Sequence, residues 1–137
     1  MEPDKVVIIV RNSLGQFFVH QRSAEKETFP LLYGLGAGGH VELKEKPEDA
    51  AERELREELK IDAEVKPLFK TSFESVEVSH TIHIFEVLWN GEIAPCEEFE
   101  WSGWLNEEEV NQLSVQNKLC PDTDVLYNKY RITALKG

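Results

Sequence analysis

Glu54, Glu57 and Glu58 stand three and four positions apart in the stretch Arg53-Glu54-Leu55-Arg56-Glu57-Glu58. On a helix that spacing places all three carboxylates on one face. They repel one another unless positive charge sits between them. Water and salt relieve part of that repulsion. A divalent cation relieves more, because hard cations such as Mg2+ bind carboxylate oxygens. A helix so built could hold a metal and, through it, an anionic substrate. The other reading is a solvated acidic helix braced by Glu52–Arg56 and Arg53–Glu57 pairs. A surface helix has no need of the loop Gly36-Ala37-Gly38-Gly39 before it.

The elements around this helix can be read from pattern. Val6 to Val10 is an unbroken apolar run, the mark of a strand buried on both faces. Asn12-Ser13-Leu14-Gly15 is a turn, and Gln16 to Arg22 reads as the return strand. Ser23 to Phe29 is a polar connection, and Pro30 to Gly39 contains one short strand. Pro47 suits a first helical turn, and Glu48 and Asp49 favour the positive end of the helix dipole. Ala50, Ala51, Leu55 and Leu59 supply the buried side. Two strands follow, near Glu64 to Glu74 and Thr81 to Trp89, then a turn at Asn90-Gly91. Trp101 to Leu105 is a short strand and Glu107 to Leu113 a short helix. A last helix starts at Pro121 and carries Val125, Leu126, Tyr127 and Tyr130. This order gives an α/β class with a mixed sheet packed between helices.

At 137 residues the chain reads as a single domain, residues 1–137, long enough to bury a core. No apolar run approaches a membrane span. Met1-Glu2-Pro3-Asp4 has no signal-peptide pattern, so a reducing cytoplasm is the expected compartment. Cys96 and Cys120 form neither a metal spacing nor a disulfide framework. A net charge of −11 argues against general nucleic-acid binding. It also opposes an anionic substrate, but the charge is clustered. Residues 37–66 hold ten acidic and six basic side chains, and residues 67–100 hold seven and one. Such clusters make sense where cations are held and the cations hold phosphates.

Gly39, Glu45, Arg53, Glu54, Leu55, Glu57, Glu58 and Ile61 together resemble the signature of the Nudix hydrolases, enzymes that cleave diphosphate linkages. One position departs: the late glycine of the signature is Lys60. Glycine there ends the helix in a left-handed backbone. Lysine suggests a different C-cap, with its charge on the negative end of the dipole. The resemblance implies an α/β/α sandwich and a hydrolase dependent on Mg2+ or Mn2+. Its substrate would be a small-molecule diphosphate, nucleoside diphosphate derivatives being the broadest class. Many members dimerise, so a homodimer is a further expectation.

Carried onto this chain, the resemblance makes Glu57 and Glu58 metal ligands, and Glu54 a ligand or the group that positions water. The carbonyl of Gly38 would reach a metal. Arg53 would orient Glu54 by ion pairing, and Glu45 would support the turn. An added glutamate from outside the motif is expected at Glu98, with Glu97 and Glu100 as alternates. Arg22 could grip phosphate bidentately or simply end its strand at the surface. Tyr33 or Phe29 could stack on the substrate or pack. His80 and His83, three apart in a strand, face opposite sides and do not share a metal. Substrate choice is assigned to residues 23–33 and 74–80.

The segments Gly36-Ala37-Gly38-Gly39-His40-Val41 and Gly91-Glu92-Ile93-Ala94-Pro95 are similar to the branch related to isopentenyl diphosphate isomerase. Those isomerases carry a cysteine where this chain has Gly38, and Cys96 and Cys120 are far away in sequence. A hydrolase of that branch therefore fits better than an isomerase. A catalytically silent module that binds a nucleotide or partner is the remaining alternative.

Overall fold

The computed structural model describes residues 3–76 and 79–136. Met1, Glu2, Glu77, Val78 and Gly137 lie outside the described residues, and with them part of the 74–80 segment assigned to substrate choice. Strand β1 (Lys5–Arg11) is the axis of the sheet. Its alternate residues supply two cores. Val6, Ile8 and Val10 pack with Ala50, Leu55 and Leu59 on one side. Val7 and Ile9 pack with Phe17, Leu126 and Tyr127 on the other. An apolar run without alternation is what such a two-sided position demands.

Strand β2 (Phe17–Arg22) returns antiparallel to β1, and β3 (Tyr33–Leu35) lies on its far side. β4 (Ala37–His40) pairs with β1. Helix α1 (Pro47–Leu59) then crosses over. β5 (Lys66–Glu74) and β6 (Ser79–Leu88) form an antiparallel pair. β6 lies parallel to β1, and β7 (Phe99–Leu105) adds to the outside of β2. Helices α2 (Glu107–Val115) and α3 (Pro121–Lys136) complete the layer opposite α1. The result is a mixed sheet between helices, the α/β/α sandwich expected. No helix among the described residues is long and apolar enough to cross a membrane.

Two differences from the sequence reading have physical causes. Between residues 30 and 39 the structure has two short strands, where one was expected. Gly36 separates them with φ +55°, and a Cβ there would overlap the carbonyl oxygen of Ile8. Only glycine fits, and the kink switches the chain from pairing with β2 to pairing with β1. The second difference is at Lys60. Its C-cap is not of another kind: Lys60 itself adopts the left-handed conformation, φ 58° and ψ 33°. Its N–H closes the helix on Arg56 O, and its Nζ reaches the Glu57 carbonyl at 3.1 Å. The cap is glycine's, made by a residue that takes it at a cost of about 1 kcal/mol.

Lys60→Gly should therefore be more stable than Lys60→Ala by about 1 kcal/mol in urea unfolding, because only glycine relieves the left-handed strain. A Lys60→Ala protein as stable as Lys60→Gly would show that the cap is unstrained.

Candidate active site

The motif begins where β4 ends and closes where α1 ends. Arg53 is its centre. Nε and Nη2 take both oxygens of Glu45 at 2.8 and 2.9 Å, a bidentate pair. Nη1 meets Glu54 at 2.7 Å and Glu57 at 3.4 Å. Nη2 also donates to the His40 carbonyl at 3.1 Å. One guanidinium thus ties the β4 end, the following loop and the helix face together. The pairing lowers the Glu45 carboxyl to about 2 and raises Arg53.

Gly39 carries no side chain because there is no room for one: a Cβ would overlap the Glu54 carboxylate. Glu54 therefore lies flat against the strand with its side chain 13% exposed, while Glu57 stays 58% exposed. Glu58 turns to the other edge of the helix, where its Oε1 accepts the Gly38 N–H at 2.8 Å. Burial raises the pKa of Glu54, against the pull of Arg53. Burial also raises Glu58 to about 7, against the Gly38 hydrogen bond, with Glu54 adding to the rise. Partial burial disfavours the charged form of both carboxylates, most at Glu58, which has no cation hydrogen-bonded to it among the described residues. Oxygen donors of this kind fit a hard divalent cation. As the side chains stand, no three His, Cys, Asp or Glu among the described residues converge on one point. Arg53 draws Glu54 and Glu57 toward itself and away from Glu58.

Glu58 also lines a cavity of about 380 Å³. Gly38, Gly39 and Glu98 line it too, and Lys5, Arg22 and Lys26 bring cations to the same space, Lys5 standing 3.3 Å from the buried Asp122. Glu98 is delivered by the connection after β6. That connection docks on the C-terminal carbonyls of α1, through Ala94 N–H to Leu59 O at 3.1 Å and Cys96 N–H to Glu58 O at 2.8 Å. Lys26 stands 3.6 Å from Glu98. Arg22 binds Thr28 through Nε at 3.0 Å and Nη2 at 3.2 Å, which fastens the 23–32 loop against the cavity. Nη1 makes no hydrogen bond among the described residues.

The structure thus gathers Gly38, Arg22, Glu58 and Glu98 at one cavity, with Arg53, Glu54 and Glu57 beside it. Tyr33 does not join them. Its ring packs edge-on against Trp101, and its backbone bridges Lys118 and Cys120. Phe29, the alternate, does line the cavity. The sequence distance of Cys120 from the motif was misleading: α3 brings it to the cavity wall, where burial raises its thiol to about 11. His20 and Lys5 were not singled out from sequence at all. A polar residue closing an apolar strand run was their only signal. His80 and His83 do face opposite sides. His80 lies 3.4 Å from buried Asp122, and His83 lies 2.8 Å from Asp4.

Glu58 makes stability pH-dependent. With a folded pKa of about 7 against 4.5 unfolded, the folded chain binds the proton more tightly between those values. The metal-free protein therefore loses stability from this group as pH rises from 4.5 to 7. Glu58→Gln needs no proton. Its unfolding free energy relative to the parent should improve by on the order of 2–3 kcal/mol from pH 4.5 to 7.5 in chelator. A pH-independent difference would mean that Glu58 is ionised throughout.

Comparison with known proteins agrees with this geometry. A family model for the NUDIX domain matches residues 1–126. An uncharacterized Nudix hydrolase of Streptomyces coelicolor is 32% identical over 130 residues, covering 92% of this chain and 72% of that protein. Three further curated Nudix relatives are matched over only 31, 47 and 32% of their own length. Among solved structures, a MutT protein from Methanosarcina mazei superposes with a TM-score of 0.81 at 20% identity, covering 98% of both chains. The NUDIX domain of Shewanella oneidensis NrtR, complexed with ADP ribose, gives 0.78 at 17% identity, covering 98% of this chain and 89% of that one. With the family model spanning nearly the whole chain and the motif carboxylates in register, this chain belongs to the Nudix family.

Proposed function

We propose that this chain is a Mg2+- or Mn2+-dependent hydrolase that cleaves the diphosphate linkage of a nucleoside-diphosphate-type small molecule. One observation carries the reading. One cavity is lined by carboxylates, with Glu58 part-buried and Glu98 exposed, and by the cations Lys5, Arg22 and Lys26. Such a cavity suits a metal and a phosphate chain at once, and it resolves the conflict between a net charge of −11 and an anionic substrate.

In this reading Glu57 and Glu58 hold the metal, with Glu54, Glu98 and the Gly38 carbonyl as further oxygen donors. When bound, the metal neutralises phosphate charge and makes a coordinated water more acidic. The chain's own residues do the rest. Arg53 positions Glu54 and Glu57 and gives up part of its hold on them when they turn to the site. Glu54 orients the attacking water and accepts its proton. As the water oxygen bonds to phosphorus, the bridging P–O bond breaks. Arg22 holds a non-bridging phosphate oxygen through Nη1.

A second reading is favoured by one observation, the protonated Cys120 thiol on the cavity wall. A proton donor there is compatible with double-bond migration in an isopentenyl-type diphosphate. That reading predicts isomer formation without phosphate release, lost in Cys120→Ser. A silent binding module predicts neither product.

Hydrolysis is tested by phosphate or pyrophosphate release with Mg2+ and Mn2+. The panel covers nucleoside triphosphates, dinucleoside polyphosphates, nucleotide sugars, NADH, CoA and isoprenoid diphosphates. At least one nucleoside-bearing compound should turn over. Glu57→Gln and Glu58→Gln should each lower turnover by about 100-fold or more with the fold intact. Near-parent rates in both variants would break the metal assignment.

A further inference from the structure

We infer that His20 is a specificity-determining residue, whose Nε2 accepts a hydrogen bond from a donor on the group that the diphosphate carries. The inference rests on the hydrolase reading for the position of the phosphates, and on four observations of its own. His20 is the last-but-two residue of β2 and lines the cavity. Its Nδ1 stands 2.7 Å from the Gly36 carbonyl oxygen, which can only accept. Nδ1 must therefore carry the proton, and Nε2 is left as an acceptor.

The ring is fixed as well as its tautomer. It stacks on Phe99, with centroids 4.4 Å apart and planes 10° from parallel. Across the strand pair, Gly34 sits opposite His20. A Cβ at Gly34 would stand 2.6 Å from Nε2, so the absence of a side chain keeps that nitrogen open. Burial, together with the nearby cations Arg22, Lys5 and Lys26, lowers the imidazole to about 4. At neutral pH it stays uncharged and cannot become a donor.

A hydrocarbon substituent on the diphosphate would cover Nε2 without pairing it, which costs a buried polar group its water. A substituent with an N–H or O–H in reach would not. A site built to pair a polar group rejects analogues that lack it more strongly than an apolar pocket rejects an extra group. His20 therefore selects diphosphates of polar, donor-bearing groups over hydrocarbon ones. The donor can come from a nucleobase N–H or a sugar O–H.

The test is calorimetric binding, with Mg2+, of non-hydrolysable α,β-methylene nucleoside diphosphates carrying each base. Isopentenyl methylenediphosphonate serves as the donor-free probe. Proteins are the parent, His20→Phe, His20→Gln and Gly34→Ala. The parent should bind its best nucleoside analogue at least 10-fold more tightly than the donor-free probe. His20→Phe and Gly34→Ala should lose 10-fold or more for that analogue and less than threefold for the donor-free probe, which also shows that they fold. His20→Gln, whose side-chain oxygen can accept, should recover part of the loss. N-methylated base and deoxy-sugar versions identify the donor: the change that weakens the parent and leaves His20→Phe unaffected is the group read. Equal nucleoside binding by parent and His20→Phe, no nucleoside binding at all, or a donor-free probe that binds as tightly as any nucleoside analogue would overturn the inference. Binding that depends on His20 without turnover would instead count against the hydrolase reading alone.

Discussion

The guanidinium of Arg53 is the interaction on which the site depends. Glu45, Glu54 and Glu57 could not approach one another so closely without it. Its bidentate grip on Glu45 fixes the loop that enters α1, and its bond to the His40 carbonyl fixes the end of β4. The strand, the loop and the helix face are therefore all tied to one side chain. The lysine charge in place of Arg53 could not do this, because a point charge lacks the planar fork. The same guanidinium leaves Glu58 outside its reach, and that carboxylate is the one left needing a cation.

Backbone constraints bring the rest of the site to Arg53. Gly36 turns the chain from β2 to β1, so that Gly38 and Gly39 run alongside Val7 and Val6. Gly39 then allows Glu54 to lie against the strand, and the Gly38 N–H meets Glu58. The connection after β6 uses the unpaired carbonyls at the C-terminus of α1 as its docking points. One set of hydrogen bonds both caps the helix and delivers Glu98. The cavity lies where β2, β4, the α1 end and the α3 start meet, which is why its walls differ in charge.

Much of this was legible in the sequence. The unbroken run Val6 to Val10 gave the central strand, because burial on both faces removes polar residues from both. The 3-4 spacing of Glu54, Glu57 and Glu58, with Arg53 beside them, gave the helix face and its charge problem. Helix starts at Pro47 and Pro121 were readable because proline suits a first turn. What could not be read depends on contacts between distant segments. Gly36 looked like any residue of a glycine-rich loop until the Ile8 carbonyl beside it was known. Lys60 looked like a break in the pattern, yet the backbone took the glycine conformation anyway. Tyr33 and Phe29 were equivalent as aromatic residues; the pairing of β3 sends Tyr33 to Trp101, and the loop before it brings Phe29 to the cavity. His20 and Lys5 had only a weak local signal, and the nearness of Cys120 to the motif had none, since both depend on how the sheet and the segment entering α3 come together.

In the proposed site a divalent cation at Glu58 supplies the positive charge that this carboxylate lacks. The most direct test is titration of Mn2+ into the chelator-treated chain at pH 6 and pH 8, in buffers of different ionisation enthalpy, to count protons released. Binding at pH 6 should expel close to one proton more than at pH 8. This follows because Glu58 is largely protonated below about 7 and must ionise to ligate. Glu58→Gln should abolish the difference. Binding that releases the same number of protons at both pH values, or that is unchanged in Glu58→Gln, would mean that the cation does not bind at Glu58.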